Sequence, residues 1–306
     1  EIHRDSRRGD LMDVSKLGRS YTYEDLCADV SKLQEQYPFV EVITIGRSVE
    51  GRNIWALGIG SGPKLVHFSG GMHANEWITT PLLMKLCFDY CNALNTDQPL
   101  RGYQAKEIAK GSTLWLTPSV NPDGANLVQR GIAADNPLRQ EVLRINGGSK
   151  SFANWKSNIR GVDLNHQFPA NWKLQAAASP KSPSPRDHAG PCALSEPESL
   201  ALANFTREKN FTMVSAFHSQ GEVIYWGYKG YEPAAAGTLV HELGVISGYK
   251  PIRYAGTHAG YKDWFIQDFR RPGFTIEVGR GANPLALSAL PTIYNKLAKA
   301  LLWLAK

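Results

Sequence analysis

His73 and Glu76 stand three residues apart in the stretch Gly70-Gly71-Met72-His73-Ala74-Asn75-Glu76-Trp77. The apolar run Leu65-Val66-His67-Phe68 precedes them and a helical pattern begins near Trp77. The pair therefore falls in a Gly-rich turn at the C-terminal end of a strand. Neutral imidazole and carboxylate are common zinc ligands, and a catalytic zinc takes three protein ligands plus a water. An H-x-x-E pair arises by chance in many chains. Its placement says more, because α/β proteins build their sites at the carboxyl ends of strands. Two further residues stand at such ends. His218 closes the apolar run Met213-Val214-Ser215-Ala216-Phe217, and Glu277 lies inside Phe274-Thr275-Ile276-Glu277-Val278. A His after a strand is most often structural. A carboxylate inside an apolar strand is an ion-pair partner, an edge residue or a functional group, because burying it alone is costly. Three strand ends carrying such residues together favour a site.

The elements that must position them alternate. Tyr23 to Tyr37 reads as an amphipathic helix with Leu26, Val30 and Leu33 on one face. Residues 40–45 and 53–59 read as strands joined like a hairpin around Gly51-Arg52, followed by a buried-type strand at 64–68 and a strong helix from Trp77 to Leu94. Leu114 to Pro118 reads as a strand ending in the turn Asn121-Pro122-Asp123-Gly124. Gly131 to Arg160 reads as long loops with short helices, and Ser179 to Pro185 as a Pro/Ser-rich surface loop. A helix from Ser195 to Glu208, strands at 213–217, 223–226 and 274–278, and helices at 233–247 and 290–304 complete the pattern. It predicts α/β: a single domain with a mixed, largely parallel twisted sheet flanked by helices.

Composition narrows the partners. The 306 residues are 42% hydrophobic and 20% charged, as in an ordinary globular protein. No apolar run is long enough for a transmembrane segment. The charged start, Glu1 to Arg8, lacks the apolar core of a signal peptide. It also lacks an initiator Met, which fits a chain cut from a longer precursor or otherwise trimmed and leaves room for a module upstream. The net charge of +6 suits an anionic polymer, but no Lys/Arg cluster interleaved with aromatics supports nucleic-acid binding. Cys27, Cys87, Cys91 and Cys192 form no C-x-x-C motif, and Cys87 and Cys91 read as small core residues one helical turn apart. His67 reads as a core residue or one that supports a site ligand from behind, and His3, His188 and His241 as surface positions.

Together, five segments resemble the zinc carboxypeptidase-like (M14) metallopeptidases: His73-x-x-Glu76, Asn121-Pro122-Asp123-Gly124, Gly161-Val162-Asp163-Leu164-Asn165, Phe217-His218-Ser219 and Thr275-Ile276-Glu277. They fall in family order and span most of the chain from about Tyr21 onward. The resemblance implies a catalytic domain over residues 21–306 behind a tail or linker remnant at 1–20. It implies one Zn2+ held by His73, Glu76 and His218, with Glu277 as general base.

Three departures from the family pattern carry the remaining expectations. Where many members place the Arg that steadies the oxyanion, five residues before the Gly of G-x-D-x-N, this chain has Lys156, with Arg160 and Arg130 as lesser candidates. Where exopeptidases follow the Asn with an Arg that clamps the substrate's C-terminal carboxylate, this chain has Asn165-His166, and His166 carries no permanent bidentate fork. At the mobile Tyr position the best match is His258, flanked by Tyr254 and Tyr261. The run Asn165 to Trp172 and the segment Ala259 to Phe265 resemble a bacterial branch that cuts the γ-D-glutamyl–meso-diaminopimelate bond of peptidoglycan stem peptides. The resemblance thus implies a stem-peptide or muropeptide substrate touched by Asn165, His166, Arg160 and Tyr261. The alternatives are a metallocarboxypeptidase with a differently built carboxylate site and a non-catalytic wall-binding protein. Such a substrate points to the cell wall, a spore or the extracellular space, with cytoplasmic wall recycling as the other setting, and it suits an upstream wall-binding module.

Overall fold

Helix α1 (Tyr23–Gln36) buries Leu26, Val30 and Leu33 at the helical period, and Asp25 accepts the Thr22 backbone N–H at 2.8 Å where the helix starts. The computed structural model describes residues 12, 18, 20–253 and 256–306. His3, Tyr254 and most of the expected 1–20 tail lie outside the described residues. Strands β1 (Glu41–Arg47) and β2 (Asn53–Gly60) form the antiparallel hairpin that their sequence predicts. Next come β3 (Lys64–Ser69), α2 (Thr79–Thr96), a two-strand ribbon of β4 (Pro99–Leu100) and β5 (Tyr103–Gln104), α3 (Ala105–Gly111) and β6 (Ser112–Thr117). Helices α4 (Pro122–Arg130), α5 (Arg139–Ile145), α6 (Trp172–Ala178) and α7 (Pro197–Lys209) precede β7 (Met213–His218) and β8 (Val223–Trp226). The chain closes with α8 (Ala234–Ser247), β9 (Lys250–Ile252), α9 (Tyr261–Phe269), β10 (Gly273–Glu277) and α10 (Leu290–Ala305).

Eight strands make one mixed sheet in the order β1-β2-β6-β3-β7-β10-β8-β9. Its centre, β6-β3-β7-β10, is parallel throughout, while β2 on one side and β8 on the other run antiparallel to it. Parallel strands need both faces covered, since their crossovers return over the sheet as helices. One face carries a core built with α1, α2, α8 and α10, including Leu33, Leu82, Phe88, Leu243 and Leu301. The other carries α7 and α9 through Leu202, Phe205, Trp264 and Phe265. This is the α/β architecture that the sequence predicts. Among the described residues no helix is long and apolar enough to cross a membrane. All four cysteines are free, and Cys87 and Cys91 are buried in α2.

The irregular region 131–160 contributes more than loops. Leu127, Val142, Phe152, Trp155 and Ile159 form a small core of their own that packs on Ala74, within the turn that carries His73 and Glu76. The segment Asn121-Pro122-Asp123-Gly124 is not a closing turn. Asn121 caps α4 by accepting the Gly124 N–H at 3.0 Å, with Pro122 in the first helical position, where its missing N–H costs nothing. Pro-Asp-Gly suits a turn and a helix start equally, which is why the composition misled. Helix α9 was also not anticipated as an element.

Candidate metal centre and active site

Because β3, β7 and β10 are parallel neighbours, their C-terminal ends meet on one edge of the sheet. Beyond β3 the chain must turn sharply. Gly71 has φ +60°, and a Cβ there would sit 2.9 Å from Thr80 Oγ1 and 3.1 Å from the Ser119 backbone, so the position requires glycine. The Gly71 N–H donates to Thr79 Oγ1 at 2.7 Å, and Asn121 Nδ2 donates to the carbonyls of Met72 and Ser157 at 3.2 and 3.1 Å. Ala74 to Glu76 then forms a single 3-10 turn, anchored by the Ala74 N–H on the Lys156 carbonyl at 2.9 Å. That turn aims both side chains at His218.

The three groups converge. His73 Nδ1 lies 3.0 Å from Glu76 Oε1, and His218 Nδ1 lies 2.9 Å from Glu76 Oε2 and 3.1 Å from His73 Nδ1. All three residues are buried. Two imidazole nitrogens and a carboxylate at these separations need a shared positive charge between them. Ligand atoms held at zinc's bond lengths in a tetrahedron stand about 3.3 Å apart, so the donor set fits that ion in kind and spacing. On the far side of its ring, His73 Nε2 meets Asp163 Oδ1 at 3.1 Å. A carboxylate on the outer nitrogen fixes the tautomer and orientation of a metal-binding His.

The electrostatics point the same way. Burial opposes charge on His73, but the Glu76 carboxylate outweighs it and, with Asp163, raises the imidazole to about 9. Burial would raise Glu76, yet His73 and His218 hold it far below the usual carboxylate range. Burial also lowers His218, against its hydrogen bond to Glu76. Glu76 is thus a buried carboxylate whose charge a cation in this pocket would balance.

Glu277 ends β10 directly beside His218 in the parallel register and opposite Val223 of β8. It lines two cavities. Loss of solvation pushes its carboxyl up to about 8, and repulsion from Glu76 adds to that; a cation bound at the cluster would oppose both effects. The first cavity, of 290 Å³, is lined by Asn165, Thr257, Lys262, Asp263 and Thr275 along with Glu277. The second, of 420 Å³, runs past Glu76, Asn154, Lys156, Arg186 and Asn283. Tyr225 of β8 borders both.

Lys156 is the cation that the sequence reading ranked first, and the structure puts it in the second cavity. Its Nζ lies 3.5 Å from Asp163 Oδ2 and 3.6 Å from Asp187 Oδ1. Burial would lower its ammonium, but Asp163, Glu76 and Asp187 together hold it above the ordinary value. The Ser179–Pro185 loop braces it, since Pro185 O accepts the Lys156 and Ser157 N–H groups at 2.8 and 3.0 Å. The lesser candidates point elsewhere: Arg160 toward Glu196 at 3.6 Å and Arg130 toward Glu24 at 3.3 Å.

Several expectations are corrected. Tyr261 cannot touch a substrate with its phenol, which is fully buried between His67 Nδ1 and Thr206 Oγ1, each at 2.9 Å. His67 is the core residue it was read as, and burial pushes it down to about 3. His258 packs on Tyr228, with Nδ1 3.0 Å from its hydroxyl, and lines neither cavity; Tyr225 does. His166 sits outside both cavities, its Nδ1 3.2 Å from the Asp187 carbonyl. His188 is buried rather than exposed, bonding the Pro180 carbonyl at 2.7 Å, while His241 is exposed as read. Sequence reading missed Arg186, Tyr225, Asp163 and the pair Lys262–Asp263. Asp163 lies inside the Gly161–Asn165 motif and Lys262 and Asp263 inside the Ala259–Phe265 segment, whereas Arg186 and Tyr225 stand in no such motif.

Residues 26–297 match the zinc carboxypeptidase family, Peptidase_M14. The chain belongs to that family. Among the relatives of this zinc carboxypeptidase-family chain is gamma-D-glutamyl-L-diamino acid endopeptidase 1 of Lysinibacillus sphaericus, 48% identical over 91% of this chain and 70% of that protein. The human carboxypeptidase N catalytic chain is 27% identical over 72% of this chain and 46% of its own length. In fold, the chain is similar to thrombin activatable fibrinolysis inhibitor, with a TM-score of 0.73 at 17% identity over 93% of this chain and 73% of that one. It is also similar to the murein-tripeptide amidase MpaA of Escherichia coli O157, with a TM-score of 0.52 at 19% identity over 87% of this chain and 92% of that one.

Proposed function

We propose that this chain is a zinc peptidase hydrolysing the γ-D-glutamyl–meso-diaminopimelate bond of bacterial peptidoglycan stem peptides. The carrying observation is that two cavities meet at Glu277 and Tyr225, one lined by Lys262 and Asp263 and the other by Lys156 and Arg186. A substrate that extends past the scissile bond in both directions fits such a site. A glutamate joined through its γ-carboxyl leaves its α-carboxylate free, and the second cavity offers Arg186 to that half. The 48% identical relative supports the same bond.

His73, Glu76 and His218 would hold one zinc, with Asp163 orienting His73. When bound, the ion lowers the pKa of a coordinated water and polarises the scissile carbonyl. Glu277 takes the proton of the attacking water and delivers it to the leaving amine. Lys156 presents its ammonium to the negative charge that develops on the carbonyl oxygen, a task at which a fixed cation in a dry site is most effective. Tyr225, between the cavities, is placed to steady the substrate over Glu277. Lys lacks the planar fork of Arg, so Lys156 supplies charge more than geometry.

The test sets a muropeptide tetrapeptide against a blocked dipeptide with a free C-terminus. Cleavage of the first alone is expected. Cleavage of only the second would establish a metallocarboxypeptidase in its place.

A further inference from the structure

Two opposite charges line the cavity on the Asn165 side of Glu277. The side chains of Lys262 and Asp263 are only 7% and 6% exposed, with Nζ 2.6 Å from Asp263 Oδ1. Lys262 Nζ also donates to the Gly227 carbonyl at 2.9 Å. Among the described residues, Asp263 Oδ2 receives only a long contact, 3.4 Å, from the Gly260 N–H that starts α9. An ammonium has three donors and a carboxylate about four acceptor sites, so each partner keeps unused capacity. Burying such a pair is weak evidence of stabilisation, because desolvation offsets most of the attraction. Lys262 is the one cation among the described residues lining this cavity, and Asp263 and Glu277 are the acids.

Lys156, the cation proposed to meet the carbonyl oxygen, borders the other cavity, which sets the carbonyl half of a substrate there and the amine half over Lys262 and Asp263. We propose that Lys262 and Asp263 form a receptor for a zwitterionic amino-acid head at the far end of the residue that supplies the leaving amine. This rests on the function proposed above and names what selects the diamino acid. The diaminopimelate arm ends in one carbon bearing both an ammonium and a carboxylate. Lys262 donates to that carboxylate, and Asp263 accepts from that ammonium. A lysine arm brings the ammonium alone, sets it near the Lys262 charge and leaves a buried donor unmet. A charge-assisted hydrogen bond lost in this way lowers kcat/KM by about 10- to 100-fold.

The experiment measures kcat and KM of the zinc-loaded protein on three peptides, L-Ala-γ-D-Glu-X, with X as meso-diaminopimelate, its far-end amide, or L-Lys. Wild type is expected to prefer the diaminopimelate over both others by about tenfold or more. In Lys262→Met, and in Lys262→Met/Asp263→Asn, which leaves no orphan charge, that preference collapses toward unity. The loss on diaminopimelate falls in KM more than in kcat. Thermal unfolding and zinc content of each variant separate recognition from folding. Equal cleavage of all three peptides by wild type would overturn the receptor and leave the proposed function standing. A variant that loses activity on all three by the same factor would make the pair structural. Failure of wild type to cut any of the three would remove the proposed function itself, and the receptor with it.

Discussion

Oδ1 of Asp163 lies 3.1 Å from Nε2 of His73, on the opposite side of the imidazole from the Nδ1 that faces Glu76 and His218. Asp163 itself is fully buried, and although burial would raise it, Lys156, His166 and His73 hold its carboxyl well below the usual range. It therefore stays anionic and ties the proposed metal ligands to the Lys156 loop. Asp163→Asn keeps the shape and removes the charge, and is expected to weaken zinc binding by about 10- to 100-fold. Competition with a chelator measures it. An unchanged affinity would make the contact incidental.

Glu277 stands beside the cluster without belonging to it. Glu277→Gln is expected to leave zinc content at one per chain while lowering turnover by about 10²- to 10⁴-fold, the usual worth of a positioned general base. Elemental analysis and a single-turnover assay read the two halves separately. Retained turnover in that variant would refute the assigned base.

Lys156 should matter for the transition state rather than for affinity. Lys156→Met is expected to cost about 10²- to 10³-fold in kcat with little change in KM, and Lys156→Arg to recover part of it. Arg160→Ala and Arg130→Ala, whose side chains point to Glu196 and Glu24, should stay near wild type. A larger loss in either would move the role away from Lys156.

A stability effect is expected from Glu198, far from the chemistry. Burial raises this carboxyl to about 7, against the N–H of Val49 and the side chain of Asn158, with Asp123 adding repulsion. Its folded pKa lies above the unfolded value of about 4.3. Its contribution is therefore complete below that pH and is lost as pH rises through about 7, by at most about 1.4 kcal/mol per pH unit for one proton. Denaturant titrations from pH 5 to 8 should show this decline in wild type and a flatter profile in Glu198→Gln. An equal slope in both would assign the effect to another group.

The parts of the site that could be read from the chain are those fixed by strand ends. His73, His218 and Glu277 follow apolar runs whose parallel pairing brings them to one edge, so a one-dimensional pattern implied a three-dimensional cluster. Lys262, Asp263, Arg186 and Tyr225 reach the same place from a helix, a loop and an antiparallel strand. Their convergence depends on crossovers that periodicity does not encode. Tyr261 shows the opposite failure. It lies next to Lys262 in α9, yet one step along a helix turns a side chain about 100°, and its phenol enters the core while Lys262 faces the cavity. Asn121 was misjudged because Asn-Pro-Asp-Gly opens a helix as readily as it closes a strand.

The central claim is that water attacks the γ-carbonyl of D-glutamate. Hydrolysis of L-Ala-γ-D-Glu-meso-diaminopimelyl-D-Ala in ¹⁸O-water, with the products resolved by mass spectrometry, tests it directly. The predicted result is one ¹⁸O atom in released L-Ala-D-Glu and none in the diaminopimelyl-D-Ala product. Label in a tripeptide freed of its terminal D-Ala, with no L-Ala-D-Glu formed, would contradict the account.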